Sequence, residues 1–285
     1  MTDHVRLGAR ELTLGYGATT IVDGLTVDVA AGAVTAIVGP NACGKSTLLR
    51  GLARLMNPAA GQVILDGSDI TRLRTKDVAR KLGLLPQSSI APEGITVADL
   101  VTRGRFPHQT MLRQFTRADQ RAVADAMAAT GVTAIAGRPV DQLSGGQRQR
   151  VWIAMVLAQQ TPLILLDEPT TFLDIAHQIE LLDLFADLNA DQGRTIVAVL
   201  HDLNHACRFA DEIIAMKAGS IVAQGNPAEI ITAALVEEVY GLRCQVIDDP
   251  ETGTPLVVPR ASARMRAKRQ DPPVVERRDG VDLRL

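Results

Sequence analysis

The sequence predicts an α/β fold with a mainly parallel sheet, an N-terminal antiparallel β subdomain and an α-helical subdomain inserted into the core. Three observations carry this reading. Residues 5–31 alternate apolar and polar positions, clearest at Leu25, Val27 and Val29, as half-buried strands of an antiparallel sheet do. From Ala33 the pattern changes to AVTAIVG, a continuous apolar run of the kind buried on both faces, and STLLRGLARLM then follows at helical spacing. Later runs at LILL (163–166), TIVAVL (195–200) and EIIAM (212–216) are separated by helical stretches such as AHQIELLDLFADL, the alternation that builds a parallel sheet.

Residues 96–160 contain no comparable strand run; TVADLVTRG, RADQRAVADAMAATG and GGQRQRVWIAMVLA read as helices. A helical subdomain is therefore expected at about 88–160, within a main domain spanning 1–240. Residues 241–260 read as a C-terminal strand extension. Residues 261–285 are charged, poor in apolar side chains and interrupted by Pro272 and Pro273, which predicts a flexible tail.

Composition narrows the function classes. Of 285 residues, 46% are hydrophobic and 22% charged, ordinary values for a globular chain with a full core. A formal net charge of −2 supplies no basic footprint for a phosphate backbone, so no nucleic-acid partner is expected. The N-terminus has neither the apolar stretch nor the cleavage site of a signal peptide, and the longest apolar run, VWIAMVLA at 151–158, is far short of the ~20 residues of a membrane helix. Cys43, Cys207 and Cys244 are widely spaced and include no C-x-x-C pair, which fits a reducing cytosol.

The chemistry is concentrated in three motifs. Gly39-Pro40-Asn41-Ala42-Cys43-Gly44-Lys45-Ser46-Thr47 fits G-x-x-x-x-G-K-[ST] between an expected strand and helix, the context of a P-loop NTPase core. Backbone N–H groups there can surround the phosphates of ATP, Lys45 can neutralise β and γ oxygens, and Ser46 can ligate Mg²⁺. The Cys43 thiol is expected inside this loop, where an adduct would crowd the anion. Second, Leu163-Ile164-Leu165-Leu166-Asp167-Glu168 puts two carboxylates at the exposed end of a buried strand. Asp167 is suited to the Mg²⁺ shell and Glu168 to the general base that polarises water. Third, Leu143-Ser144-Gly145-Gly146-Gln147 opens a helix with a hydroxyl and two glycines, which can present N–H groups to an anion or serve only as a cap.

LSGGQ between the two nucleotide motifs is the signature of the ATP-binding cassette family, and most of residues 5–240 resembles that family in motif order. The resemblance implies further roles. Gln87, in Leu84-Leu85-Pro86-Gln87, would sense Mg²⁺ and water and relay to a membrane partner. Asp174 would contact the opposite subunit, His201 would be the switch histidine at the γ-phosphate, and Tyr16 would stack on adenine. Ser144, Gly145, Gly146 and Gln147 would close over the phosphate loop of a second cassette, so the chain would work as an ATP-hydrolysing homodimer or paired with a close paralogue. Ala42 stands where relatives commonly carry glycine, a substitution expected to be tolerated.

Asp167-Glu168-Pro169-Thr170-Thr171-Phe172-Leu173-Asp174, with VLHDLNHACRFAD, GLRC and TGTPLVVP, resembles the ATPase subunits of ferric-siderophore importers. That likeness implies integral-membrane permease subunits, an extracytoplasmic substrate-binding protein and a peripheral location on the cytoplasmic face of the membrane. Residues 88–115 are the expected permease-docking surface. Haem or cobalamin is the alternative cargo, and a mechanical ATPase outside transport the alternative class.

Overall fold

The computed structural model describes residues 5–87, 90–109 and 115–261. Strands β1 (Val5–Tyr16) and β2 (Thr19–Ala30) pair antiparallel, with Leu12 opposite Leu25 and Ala9 opposite Val27. The continuous apolar run forms β3 (Val34–Val38) and leads through a loop to helix α1 (Lys45–Leu52). This helix is shorter than its apolar spacing suggests. Arg54 turns into the left-handed region (φ 59°), and its guanidinium donates to the carbonyl of Leu73, which directs the chain into β4 (Ala60–Leu65) and β5 (Ser68–Asp69). Gly51 lets α1 lie against β1: a Cβ there would meet Leu14 Cδ1 at 2.5 Å.

Helix α2 (Thr75–Lys81) runs without a break into β6 (Leu82–Leu85), a short strand that the apolar pattern alone does not announce. Between β6 and the next strand the described residues are helical, comprising α3 (Val97–Arg103), α4 (Arg117–Ala129) and α5 (Gly145–Ala158) with short 3₁₀ turns. There follow β7 (Leu163–Asp167), α6 (Ile175–Gln192), β8 (Thr195–Val199), α7 (Leu203–Phe209), β9 (Glu212–Lys217) and β10 (Ser220–Gly225). Helices α8 (Pro227–Ile230) and α9 (Ala233–Tyr240) lead to the hairpin β11 (Cys244–Asp248) and β12 (Pro255–Pro259). Apart from residue 261, the expected tail lies outside the described residues.

The larger sheet has the order β10-β9-β3-β8-β7-β6, parallel except for β10. Its strands divide two cores by strict alternation. Ala36, Val38, Ile164, Leu166, Ile196 and Ala198 face the helices α3 to α7, whereas Ile37, Leu163, Leu165, Val197 and Val199 face α1 and the β2-β1-β4-β5 sheet. Burial on both sides is why these strands read as unbroken apolar runs. Among the described residues, no helix is long and apolar enough to cross a membrane.

One buried ion pair ties the helical insertion together. Arg105 Nε meets Asp119 Oδ1 at 2.8 Å, with the two side chains only 7% and 8% exposed, and Arg105 also donates to the carbonyl of Ala158. The Thr116 hydroxyl, helped by the Thr116 N–H and by Arg105, holds the Asp119 carboxyl at about 2 against the opposing effect of burial. A depressed carboxyl stabilises the fold fully above its unfolded value, about 3.9, and loses that contribution as pH falls through the folded value. The stability gap between wild type and Asp119→Asn will therefore close as pH drops from about 4 through about 2, which urea unfolding across that range measures.

Candidate nucleotide site

Four neighbouring strands, β3, β8, β7 and β6, bring their C-terminal ends to one edge of the sheet, where open α/β folds bind ligands. The Gly39–Thr47 loop follows β3, Asp167 and Glu168 end β7, His201 follows β8, and Gln87 follows β6. Asn41, Ala42, Gly44, Lys45, Ser46, Thr47, Gln87, Glu168 and His201 line one cleft of ≈ 530 Å³, within the range of small-molecule sites. Ile21 of β2 joins them; nothing in the sequence patterning singled it out.

The loop is held by backbone constraints. Gly39 has φ 150° and passes so close to β9 that a Cβ would meet the Met216 carbonyl at 2.2 Å. Ala42 takes a left-handed φ of 61°, a conformation that costs a non-glycine residue ~1 kcal/mol, which is the physical content of its departure from glycine. Lys45 opens α1, is 5% exposed, and donates to the carbonyls of Gly39 and Pro40 at 2.9 Å each. Among the described residues this ammonium forms no ion pair, an arrangement that favours an anion beside it.

Ser46 donates its hydroxyl to Asp167 Oδ1 at 2.7 Å. Asp167 is 1% exposed; burial raises its pKa, and the neighbouring Glu168 charge pushes the same way, while Ser46 opposes them. Glu168 turns off the strand end with a left-handed φ of 55°, and its Oε1 lies 2.7 Å from His201 Nε2. The carboxylate and the imidazole thus form a preset pair beside the phosphate loop.

Four of the expected residues, Gly39, Pro40, Cys43 and Tyr16, lie outside the lining of this cleft. The Cys43 thiol is 4% exposed and packs in the core below the loop, outside the lining of the cleft. Gly39 and Pro40 shape the loop and hold Lys45 through their carbonyls without lining the cleft. Tyr16, half exposed at the end of β1, accepts a hydrogen bond from Arg50 Nη1 at 3.2 Å and also lies outside the lining.

The LSGGQ segment sits on a separate surface. Ser144 caps α5 through a capping box with Gln147, in which the Ser144 hydroxyl accepts and, among the described residues, donates to no acceptor, and which puts Gly145 and Gly146 in the first turn. With Gly145, Gly146, Gln147, Leu173 and Asp174 it lines a second depression of ≈ 450 Å³ that shares no residue with the first. Asp174 caps α6, accepting from the His177 N–H at 3.0 Å, and Phe172 beside it is 75% exposed. Arg150, Phe172 and His177 complete this surface and were not foreseen; the exposure of an aromatic is visible only in the fold.

A family profile described as "ABC transporter" matches residues 22–171. The chain belongs to the ABC transporter family. It is 59% identical to the ferric enterobactin transport ATP-binding protein FepC of Escherichia coli K12, over 91% of this chain and 96% of that protein. It is 52% identical to the petrobactin import ATP-binding protein FpuD of Bacillus anthracis, over 90% of this chain and 94% of the relative. Among solved structures, a dimeric bacterial ABC transporter cassette matches with TM-score 0.70 at 27% identity, over 77% of this chain and 98% of the cassette. The chain is accordingly an ATP-binding ATPase subunit with the α/β fold of these proteins.

Proposed function

We propose that this ABC subunit energises import of a ferric siderophore, hydrolysing ATP in the cleft at the sheet edge. The observation that carries the chemistry is the convergence there of a buried Lys45, the Ser46–Asp167 pair and the Glu168–His201 pair. The loop N–H groups and Lys45 bind the β and γ oxygens. Glu168 accepts the proton of the attacking water, and His201, 2.7 Å away, fixes its orientation. Tyr16 faces adenine once nucleotide is seated.

The oxygen donors of Ser46, Asp167 and Gln87 fit Mg²⁺, a hard cation commonly held by one carboxylate together with substrate phosphates. When bound, Mg²⁺ supplies positive charge that offsets the negative charge of the transferring phosphoryl group. Ser144, Gly145, Gly146, Gln147 and Asp174 act on the nucleotide of a second copy, because within one chain they line a surface disjoint from the phosphate cleft.

The siderophore assignment rests on likeness to the enterobactin and petrobactin proteins. It entails permease subunits, an extracytoplasmic binding protein and a location on the cytoplasmic face of the membrane. The described part of 88–115, with Phe106 exposed, is the proposed permease contact. Cells lacking this chain will fail to accumulate iron from a ferric siderophore, and wild type will restore uptake where Lys45→Ala does not. Loss of haem uptake with every siderophore unaffected would overturn the cargo assignment.

A further inference from the structure

Helix α7 begins two residues beyond His201, so whatever fixes α7 also fixes the turn that carries the histidine. Asp202 caps the helix, its Oδ1 accepting from the N–H groups of Asn204 at 2.8 Å and His205 at 3.0 Å. The Asn204 side chain reaches away from the helix. Its Oδ1 accepts from the Val257 N–H at 2.7 Å, and its Nδ2 donates to the Val257 carbonyl at 3.3 Å.

Val257 is the central residue of β12, and the ladder explains why its backbone is available. Arg260 N–H donates to the Arg243 carbonyl and Asp249 N–H to the Thr254 carbonyl, which marks those as hydrogen-bonded pairs of the hairpin. Antiparallel pairs alternate, so Pro255, Val257 and Pro259, opposite Asp248, Val246 and Cys244, are the non-hydrogen-bonded positions whose backbone faces the outer edge. Proline has no N–H. Val257 therefore carries the only backbone donor among these three edge positions, and the Asn204 carboxamide satisfies it as a residue of an added strand would. The Val257 side chain meanwhile packs in the core cluster that also holds Ala206 and Cys207 of α7.

We propose that Asn204 is a positioning residue for hydrolysis: by clamping the C-terminal hairpin to α7 it holds His201 against Glu168. This rests on the hydrolytic roles given above to His201 and Glu168. The hairpin is then a working part of the ATPase, and loosening it slows the chemical step while leaving nucleotide binding alone.

The test uses the purified full-length chain at a temperature well below each variant's melting point. Asn204→Leu removes both bonds, and Val257→Pro removes the hairpin donor without touching a ladder bond but also alters the side chain packed near Ala206 and Cys207, a change that Val257→Ala reports by itself. Asn204→Leu and Val257→Pro should each lower kcat about tenfold, a typical loss when a catalytic group is slightly misplaced, with KM and the affinity for a non-hydrolysable ATP analogue within about twofold of wild type. The double variant should be no slower than the worse single one, because both changes break one link. Should Asn204→Leu fold poorly, Asn204→Asp keeps the acceptor and loses the donor, and a smaller kcat loss with unchanged KM is expected. Wild-type kcat in a folded Asn204 variant, losses that multiply in the double variant, or an equal loss of nucleotide affinity would overturn the proposal. Glu168→Gln run alongside separates the two readings: if it hydrolyses normally, the assignment of the base has failed, whereas if it is inactive and the Asn204 variants are normal, only the clamp has.

Discussion

Purified Glu168→Gln protein will bind Mg-ATP and fail to turn it over, hydrolysing on the order of 10² to 10⁴ more slowly than wild type, the usual cost of losing a general base. That range corresponds to about 3 to 5 kcal/mol of transition-state stabilisation. The change is nearly isosteric, and the amide can still reach His201 across the 2.7 Å contact, so the strand end and its left-handed turn should persist. Lys45, Ser46 and Asp167 are untouched and continue to hold nucleotide. Single-turnover assays with labelled ATP will find it bound and uncleaved; hydrolysis within tenfold of wild type would remove Glu168 from the mechanism.

Lys45→Ala will lose both binding and turnover. The ammonium is buried and bonded only to the carbonyls of Gly39 and Pro40 among the described residues, so its charge is available to phosphate oxygens at the floor of the cleft. A hydrogen bond to a charged group contributes about 1.5 to 3 kcal/mol, which predicts roughly a ten- to hundredfold weaker affinity for ATP and hydrolysis lower still, since charge accumulates on those oxygens in the transition state. Titration with a fluorescent nucleotide gives the first number and phosphate release the second. Near-wild-type hydrolysis would contradict the role.

Much of this was legible in the sequence because the patterns have direct physical causes. AVTAIVG and LILLD read as strands buried on both faces, and the alternate residues of β3 and β7 do enter two different cores. The phosphate loop and the paired acids were visible for the same reason, as each motif ends such a strand. What stayed hidden depended on tertiary contacts. Strand β6 follows α2 without a break and contains Gly83, where a Cβ would lie 2.8 Å from Thr161 Oγ1, a constraint no local pattern encodes. The Cys43 thiol could not be placed above or below the loop from its position in a motif. Phe172 lies in the segment between β7 and α6, and its exposure beside Gly145 depends on where that segment passes the start of α5. The edge proline pattern of β12 is present in TGTPLVVP, but its consequence depends on Asn204, a residue distant in sequence that the fold places against Val257.

In the proposed mechanism two copies of this chain complete each other's nucleotide sites, the signature surface of one closing on the phosphate cleft of the other. The most direct test is light scattering during size-exclusion chromatography of Glu168→Gln protein, with and without Mg-ATP, alone and with Ser144→Arg added. At concentrations of ~10 to 100 μM, sufficient for a micromolar association, the monomer should become a dimer on adding Mg-ATP and revert when nucleotide is removed. With Ser144→Arg added, the chain should bind ATP and remain monomeric, because the bulky cation alters the cap of α5 and leaves the phosphate loop intact. A double variant that dimerises as readily as Glu168→Gln alone would contradict the shared site.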